Sequence, residues 1–220
     1  MAGEEKSGLA YAETRRFEMF VQVIQGKVSD AGEAHTAIDQ WARELAPDAT
    51  GWLGTTAGVT RDGQFIAIAR FESEDAARHN SERPEQDQWW TQTSKIFTDE
   101  PAFKDSTDVD IDLPGDPDKA KFVQVIQGRS SDPARARELM QDNPDTWAEF
   151  RPDVLGSVGA AHDGGAYTAV LYFTSEEEAR EGERKEPPPE MQAQMDEMGK
   201  LEIGEPTFLD ITEPWLYSPR

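Results

Sequence analysis

Cysteine is absent from this 220-residue chain. That excludes disulfides, thiolate nucleophiles, Cys-ligated zinc and iron–sulfur clusters. Basic side chains are scarce: 22 Lys+Arg stand against 44 Asp+Glu, a formal net charge of −22. Nucleic acid and anionic membranes both require clustered Lys and Arg, so neither is an expected partner. The deficit is general, because residues 1–110 hold 11 basic and 21 acidic side chains and residues 111–220 hold 11 and 23. Neither half is a basic module with an acidic tail. No apolar run approaches the roughly 18 residues of a membrane-spanning helix. The first residues, MAGEEKSGLAYAETRR, contain no apolar core of a secretory signal, so a cytoplasmic address is expected. The glycine-rich nucleotide loops and the G-x-S-x-G nucleophile turn are missing too.

What is present is a tandem repeat. Residues 20–30 read FVQVIQGKVSD and residues 122–132 read FVQVIQGRSSD, with nine of eleven positions identical. The same spacing aligns FIAIARFESEDAAR (65–78) with YTAVLYFTSEEEAR (167–180). EPAFKD (100–105) matches EPTFLD (205–210) after a small insertion around Pro187–Pro189. The expected organisation is an N-terminal segment at 1–15, unit 1 at 16–111, a Pro/Gly/Asp-rich linker at 112–119, unit 2 at 120–212 and a tail at 213–220.

Each unit predicts the same order of elements. FVQVIQG is β-branched and closed by glycine, which reads as a strand. Ser29-Asp30 and Ser131-Asp132 offer N-caps to a first helix, with Ala34, Ile38, Trp41 and Leu45 on one face in unit 1. In unit 2 the matching face is Ala136, Leu139, Met140, Asn143, Trp147 and Phe150. Two strands follow near 52–60 and 65–71, and near 154–162 and 166–173, with Asp62-Gly63 as a hairpin signal. Ser73 and Ser175 cap a second helix, and a last strand carries Phe103 or Phe208. The order β-α-β-β-α-β, twice, predicts an α+β fold of two ferredoxin-like units. The strands are apolar on both faces, so the two sheets are expected to pack against each other as an intramolecular pseudo-dimer.

Strand order, helix placement and the F-x-S-x-x-x-A start of the second helix resemble the dimeric α/β-barrel superfamily, closest to its antibiotic biosynthesis monooxygenase-like group. The resemblance covers essentially the whole chain as two fused units. It implies a pocket between sheet and helices, and either cofactor-independent oxygenation of a hydrophobic, aromatic compound or no chemistry at all. Haem-degrading members carry an iron-ligating His late in the second helix. Trp90 and Gln192 fall near that place here, so no haem or other cofactor is expected.

Candidate site residues follow from chemistry. Trp89 and Trp90 supply flat apolar walls suited to an aromatic ligand, and Asn80 a hydrogen-bonding amide. The alternative is that the indoles are packing and Asn80 satisfies a helix end. Gln22 and Gln25, repeated as Gln124 and Gln127, either face a ligand, pair across the sheets or mark the strand's exposed edge. His79 is a weak candidate for a general base. His35 and Asp39 stand four apart, but two ligands do not make a metal site, and no metal is expected. Asp108, Asp110 and Asp112 read as a solvated strand end, Met191, Met195 and Met198 as core, and His162 as exposed. At constant spacing His79, Asn80, Trp89 and Trp90 become Glu181, Gly182, Met191 and Gln192, so unit 1 is the expected ligand-binding half. The functional expectation is a small hydrophobic or aromatic molecule as partner and monooxygenase-like chemistry if any; the alternative is a non-catalytic stress or interaction scaffold. A monomer is expected, with a weak homodimer through the tail TEPWLYSPR, where Trp215 and Tyr217 seek cover.

Overall fold

The computed structural model describes residues 19–113, 115–142 and 144–219. The expected segment 1–15 and the helix-face residue Asn143 lie outside the described residues. Unit 1 runs β1 (Phe20–Lys27), α1 (Ala31–Glu44), β2 (Trp52–Val59), β3 (Gln64–Phe71), α2 (Glu74–Ser81), α3 (Pro84–Thr93) and β4 (Ala102–Ser106). The short strand β5 (Val109–Asp112) follows at once. Unit 2 repeats the pattern as β6 (Phe122–Arg129), α4 (Pro133–Gln141), α5 (Pro144–Phe150), β7 (Val154–Ala161), β8 (Ala166–Phe173), α6 (Glu176–Glu183), α7 (Pro189–Leu201) and β9 (Thr207–Ile211), and β10 (Trp215–Tyr217) comes last.

The caps are where the side chains place them. Asp30 accepts from the Glu33 amide at 2.9 Å and Asp132 from Arg135 at 3.0 Å. Ser73 and Ser175 do the same for α2 and α6. The single second helix expected in each unit is broken in two, before Pro84 and before Pro189, and the first helix of unit 2 breaks before Pro144. A proline has no amide to donate and its ring collides with the carbonyl one turn back.

Both sheets are antiparallel and five-stranded, in the orders β10-β2-β3-β1-β4 and β5-β7-β8-β6-β9. Each therefore contains one strand from the far side of the repeat. β5 leaves unit 1 and pairs with β7, with Asp110 opposite Gly159; β10 leaves unit 2 and pairs with β2, with Trp215 opposite Ala57. The expected linker thus opens on the last residue of β5, and the expected tail carries β10. Trp215 and Tyr217 find their cover inside the chain: Trp215 stacks on His35 at 4.5 Å, and the Tyr217 hydroxyl donates to Asp39 at 3.1 Å. The tail is therefore an edge strand of the first sheet and half-buried, not exposed as expected from the sequence. Burial and the neighbouring Asp39 carboxylate hold the Tyr217 phenol above its ordinary range.

The inner sheet faces meet. Val21, Val23, Ile66 and Ile68 of unit 1 form one core with Val123, Val125, Val158, Val170, Tyr172, Leu209 and Ile211 of unit 2. Alternation along each strand sends the odd residues of β1 to this interface and the even ones to the helices. A side chain at Gly58 would collide with Ile211, so glycine lets β2 come this close to β9. Within the interface the Thr56 and Tyr172 hydroxyls bond at 2.7 Å, and burial raises the Tyr172 phenol. Tyr172 is the repeat partner of Arg70, which is also buried there and whose Nε has no hydrogen-bond partner among the described residues.

Candidate functional site

The helix layer of unit 1 is built on indoles. Trp41 and Trp52 meet edge to face at 5.3 Å, and Trp41 lies 6.4 Å from Trp89. Each indole N–H has a partner: Trp41 donates to Gln86 at 2.6 Å, Trp52 to Thr55 at 3.0 Å and Trp89 to the Ala37 carbonyl at 3.0 Å. The last of these ties α3 to α1.

Two spaces flank Trp89. The inner one, between helices and sheet, is lined by Ile24, Ile38, Phe65, Trp89, Trp90 and Phe97 and holds only about 20 Å³. It has room for about one water and none for a ring, since a cavity of about 150 Å³ is what takes a benzene. The outer one is an open cleft of about 750 Å³ between α1 and α3. Trp89, Leu45 and Ile96 give it apolar surface, and Gln40, Gln88 and Arg83 give it donors. The Arg83 guanidinium is already engaged, donating to Leu45 O at 3.1 Å and to Asn80 Oδ1 at 3.0 Å. Glu44, Asp48 and Glu85 are the carboxylates of this cleft.

The structure brings together only part of the candidate set. Trp89 and Trp90 share the inner space, with ring centres 6.0 Å apart. Adjacent helical residues diverge by about 100°. Trp89 takes the side toward α1, while Trp90 turns toward β4 and packs on Phe103 at 5.3 Å. Asn80 is buried and held by Arg83. Gln22 points to the helix side and donates to Asp105 at 3.0 Å, as Gln124 does to Asp210 at 2.9 Å. Gln25 lies on the opposite face of β1, so the two glutamines do not converge. His79 is exposed on α2, its Nδ1 3.1 Å from the Asp75 carbonyl, and lines neither space.

Four other expectations change. Asp108 and Asp110 are gripped by Arg137 of α4, at 2.8 and 2.6 Å, and so anchor β5 rather than forming a solvated strand end. His162 is half-buried, with Nε2 3.0 Å from Thr168 Oγ1 and Nδ1 3.3 Å from the Asp105 carbonyl, and desolvation lowers its pKa. Of the three methionines only Met191 is core; Met195 is exposed and Met198 half-buried. The partners of the Trp pair are also shifted. Gln194, not Met191, donates to the Leu139 carbonyl as Trp89 does to Ala37, so Trp90 corresponds to Met195, not Gln192. The three-residue proline insertion moves the repeat spacing from that point on. Among the described residues no cluster of His, Asp and Glu is able to hold a metal ion, and no helix is long and apolar enough to cross a membrane.

No family model matches the chain, and no curated protein matches its sequence. Solved structures do match in shape. A candidate monooxygenase from Lactobacillus acidophilus superimposes with a TM-score of 0.73 at 12% identity, over 91% of this chain and 96% of that one. The chain has the fold of that protein over both of its units. A candidate monooxygenase from Fusobacterium nucleatum follows at 0.68 and 9% identity, covering 91% and 94%. An anthrone oxidase-like protein reaches 0.63 at 10%, covering 90% and 93%. These matches span both units, so the paired-sheet barrel is shared as a whole. At such identities the likeness is one of fold, and side-chain chemistry has to be argued from this chain.

Sequence reasoning missed the cleft residues Gln40, Gln88 and Arg83, which carry no motif. It also missed Tyr167 and Glu202 in unit 2, whose hydroxyl and carboxylate meet at 3.0 Å. Their unit 1 counterparts are Phe65 and Phe97, so aligning the copies across the proline insertion exposes both substitutions.

Proposed function

We propose that this chain binds a small hydrophobic, aromatic molecule in the cleft between α1 and α3, as a monomeric barrel of the cofactor-independent monooxygenase type. The observation that carries this reading is the 750 Å³ cleft itself, walled by the Trp89 indole and edged by amide groups. A ring stacked on Trp89 buries apolar area on both partners, and Gln40 or Gln88 can bond an oxygen at its rim. In the oxygenase form a substrate phenol is deprotonated, and the resulting carbanion passes an electron to dioxygen. The proton acceptors beside the cleft are the carboxylates Glu44, Asp48 and Glu85, while His79 stands outside it.

A second reading, a non-catalytic stress or interaction scaffold, is favoured by the inner space of unit 1, which the chain's own rings fill. Two measurements separate the readings. Titration with 1-naphthol should quench tryptophan fluorescence saturably, and Trp89→Ala should weaken binding about tenfold. Unchanged affinity in Trp89→Ala removes the cleft as the site. Dioxygen uptake with anthrone supports the oxygenase form; binding without uptake supports the scaffold.

A further inference from the structure

The cleft of about 750 Å³ is walled by helices alone: its lining residues belong to α1, α3 and the turns that flank them, and none lies on a strand. Two hydrogen bonds fix how the helices run. Trp89 of α3 donates to the Ala37 carbonyl of α1, and Arg83, just before α3, donates to the Leu45 carbonyl, just after α1. The helices are therefore antiparallel, and the end of α1 lies beside the start of α3. Ala37, Gln40 and Glu44 share one face of α1, and Glu85, Gln88, Trp89 and Gln92 share one face of α3, as spacings of three, four and seven require.

The two ends of the cleft are unlike. The carboxylates of the lining, Glu44, Asp48 and Glu85, all collect where α1 ends and α3 begins. Gln40 donates to Glu44 at 2.9 Å and braces it. Asp48 and Glu85 accept no side-chain hydrogen bond and make no ion pair among the described residues. Arg83 is the cation of the lining, and its guanidinium is spent on Leu45 O and Asn80 Oδ1. The helix ends leave this balance unchanged, because the negative end of α1 and the positive end of α3 lie together and offset each other. Three carboxylates thus face one engaged guanidinium. At the other end the walls are Ala37, Thr93 and Ile96, and Lys95 donates to Gln92 at 2.8 Å. Between the ends stands Trp89, whose N–H is taken by Ala37, so it offers the cleft ring surface. Glu85 precedes Trp89 by one turn, about 6 Å along the axis.

We infer that the molecule bound in this cleft carries a protonated amine about one helical turn from its aromatic ring, with the ring on Trp89 and the ammonium among Glu44, Asp48 and Glu85. This rests on the cleft being the binding site, and it narrows the ligand from any small aromatic compound to a cationic one. The ammonium supplies the counter-charge that the three carboxylates lack, and an indole beside it adds the attraction of its ring face. A ligand with a carboxylate and no amine meets the opposite field. In the oxygenase form the ammonium also offsets the charge of the phenolate. Glu44, Asp48 and Glu85 are thereby the residues that set specificity, and Gln40 is a positioning residue for Glu44.

The test is isothermal titration calorimetry of the full chain at low salt with 2-(1-naphthyl)ethylamine, an ammonium at neutral pH, and with its neutral twin 2-(1-naphthyl)ethanol. The amine should bind more tightly by about tenfold or more. Glu44→Gln, Asp48→Asn and Glu85→Gln together should bring it down to the level of the alcohol and move the alcohol itself by less than about twofold. Glu181→Gln, Glu186→Gln and Glu190→Gln remove as much charge from exposed positions of unit 2 and should leave the preference in place. That control separates the cleft from the attraction of the whole acidic molecule. Circular dichroism checks that each variant is folded, and Glu85→Gln alone, with about a threefold loss of the amine, serves if the combined variant is not. Equal binding of amine and alcohol overturns the inference, as does a preference that survives the cleft substitutions or falls equally with the remote ones. In each of those cases the cleft itself stands as long as Trp89→Ala weakens the alcohol. If neither probe binds, or Trp89→Ala changes neither, the cleft is not the site and the inference falls with it.

Discussion

Phe20 and Phe71 in unit 1, and Phe122 and Phe173 in unit 2, occupy the same repeat positions, yet their surroundings differ in kind. In unit 1 they sit under Trp41, Trp52, Leu45 and Ala77. In unit 2 the guanidinium of Arg151 lies 5.6 Å over Phe173, and that of Arg180 5.1 Å over Phe122. Arg151 is paired with the buried Asp153 at 2.7 Å, and Arg180 with Asp210 and Glu183. The contrast continues at the exchanged strands, where the His35–Trp215 stack of unit 1 becomes the Arg137–Asp110 ion pair of unit 2. One backbone thus tolerates two ways of covering a sheet. A dry aromatic layer gains from area removed from water, whereas charged covers depend on keeping every partner matched.

The largest effects should come from breaking each cover at its own weak point. Trp41→Ala is expected to cost about 3–5 kcal/mol in urea unfolding, because it empties the middle of the indole cluster. Trp147→Ala, at a half-buried position in unit 2, should cost only about 1–2 kcal/mol. Equal losses would mean that the two layers are equally dry. Arg151→Met strands the Asp153 carboxylate and should cost about 3 kcal/mol. The double variant with Asp153→Ala should recover most of that loss, and failure to recover would show that the cation over Phe173, not the ion pair, matters.

The smallest effect tests the seam between the units. His162 has its pKa lowered by burial, so the folded state prefers the neutral ring. Its contribution is complete above the ordinary histidine value. It falls as the pH drops through that value toward the lowered one, because the unfolded chain binds the proton first. Stability should therefore decline less in His162→Gln than in the wild type as the pH falls from about 7.5 to 5.5. Parallel profiles would remove His162 from the account.

Much of the architecture was readable from local pattern. The FVQVIQG repeat, the Asp30 and Ser73 caps and the alternation of Val21 and Val23 with Phe20 and Ile24 each depend on neighbours within a few residues. They predict the elements, their faces and the need to cover both sides of the sheet. The breaks before Pro84, Pro144 and Pro189 were equally local, but amphipathic spacing on both sides of each break concealed them. The candidate site was less readable. Trp89 and Trp90 are recognisable as unusual, but whether an indole lines a cavity or fills it depends on what stands opposite. Here Phe97 and Phe103 stand against Trp90, with Phe65 in the same space, and only the fold of the chain after the helix decides that they do.

By itself the sequence determined that the chain is a duplicated α+β unit, acidic throughout and without thiol chemistry, whose strands must be covered on both faces. Those properties follow from composition and from periodicities of two and 3.6 residues. Only the tertiary structure decided that β5 and β10 exchange between the sheets, that unit 1 closes over its own rings and that unit 2 joins Tyr167 to Glu202 at the matching place. Strand pairing, and what fills the space between layers, are sums over distant residues, and the two units differ there by the rings of Trp89, Trp90 and Phe97, which Gln194, Met195 and Glu202 replace.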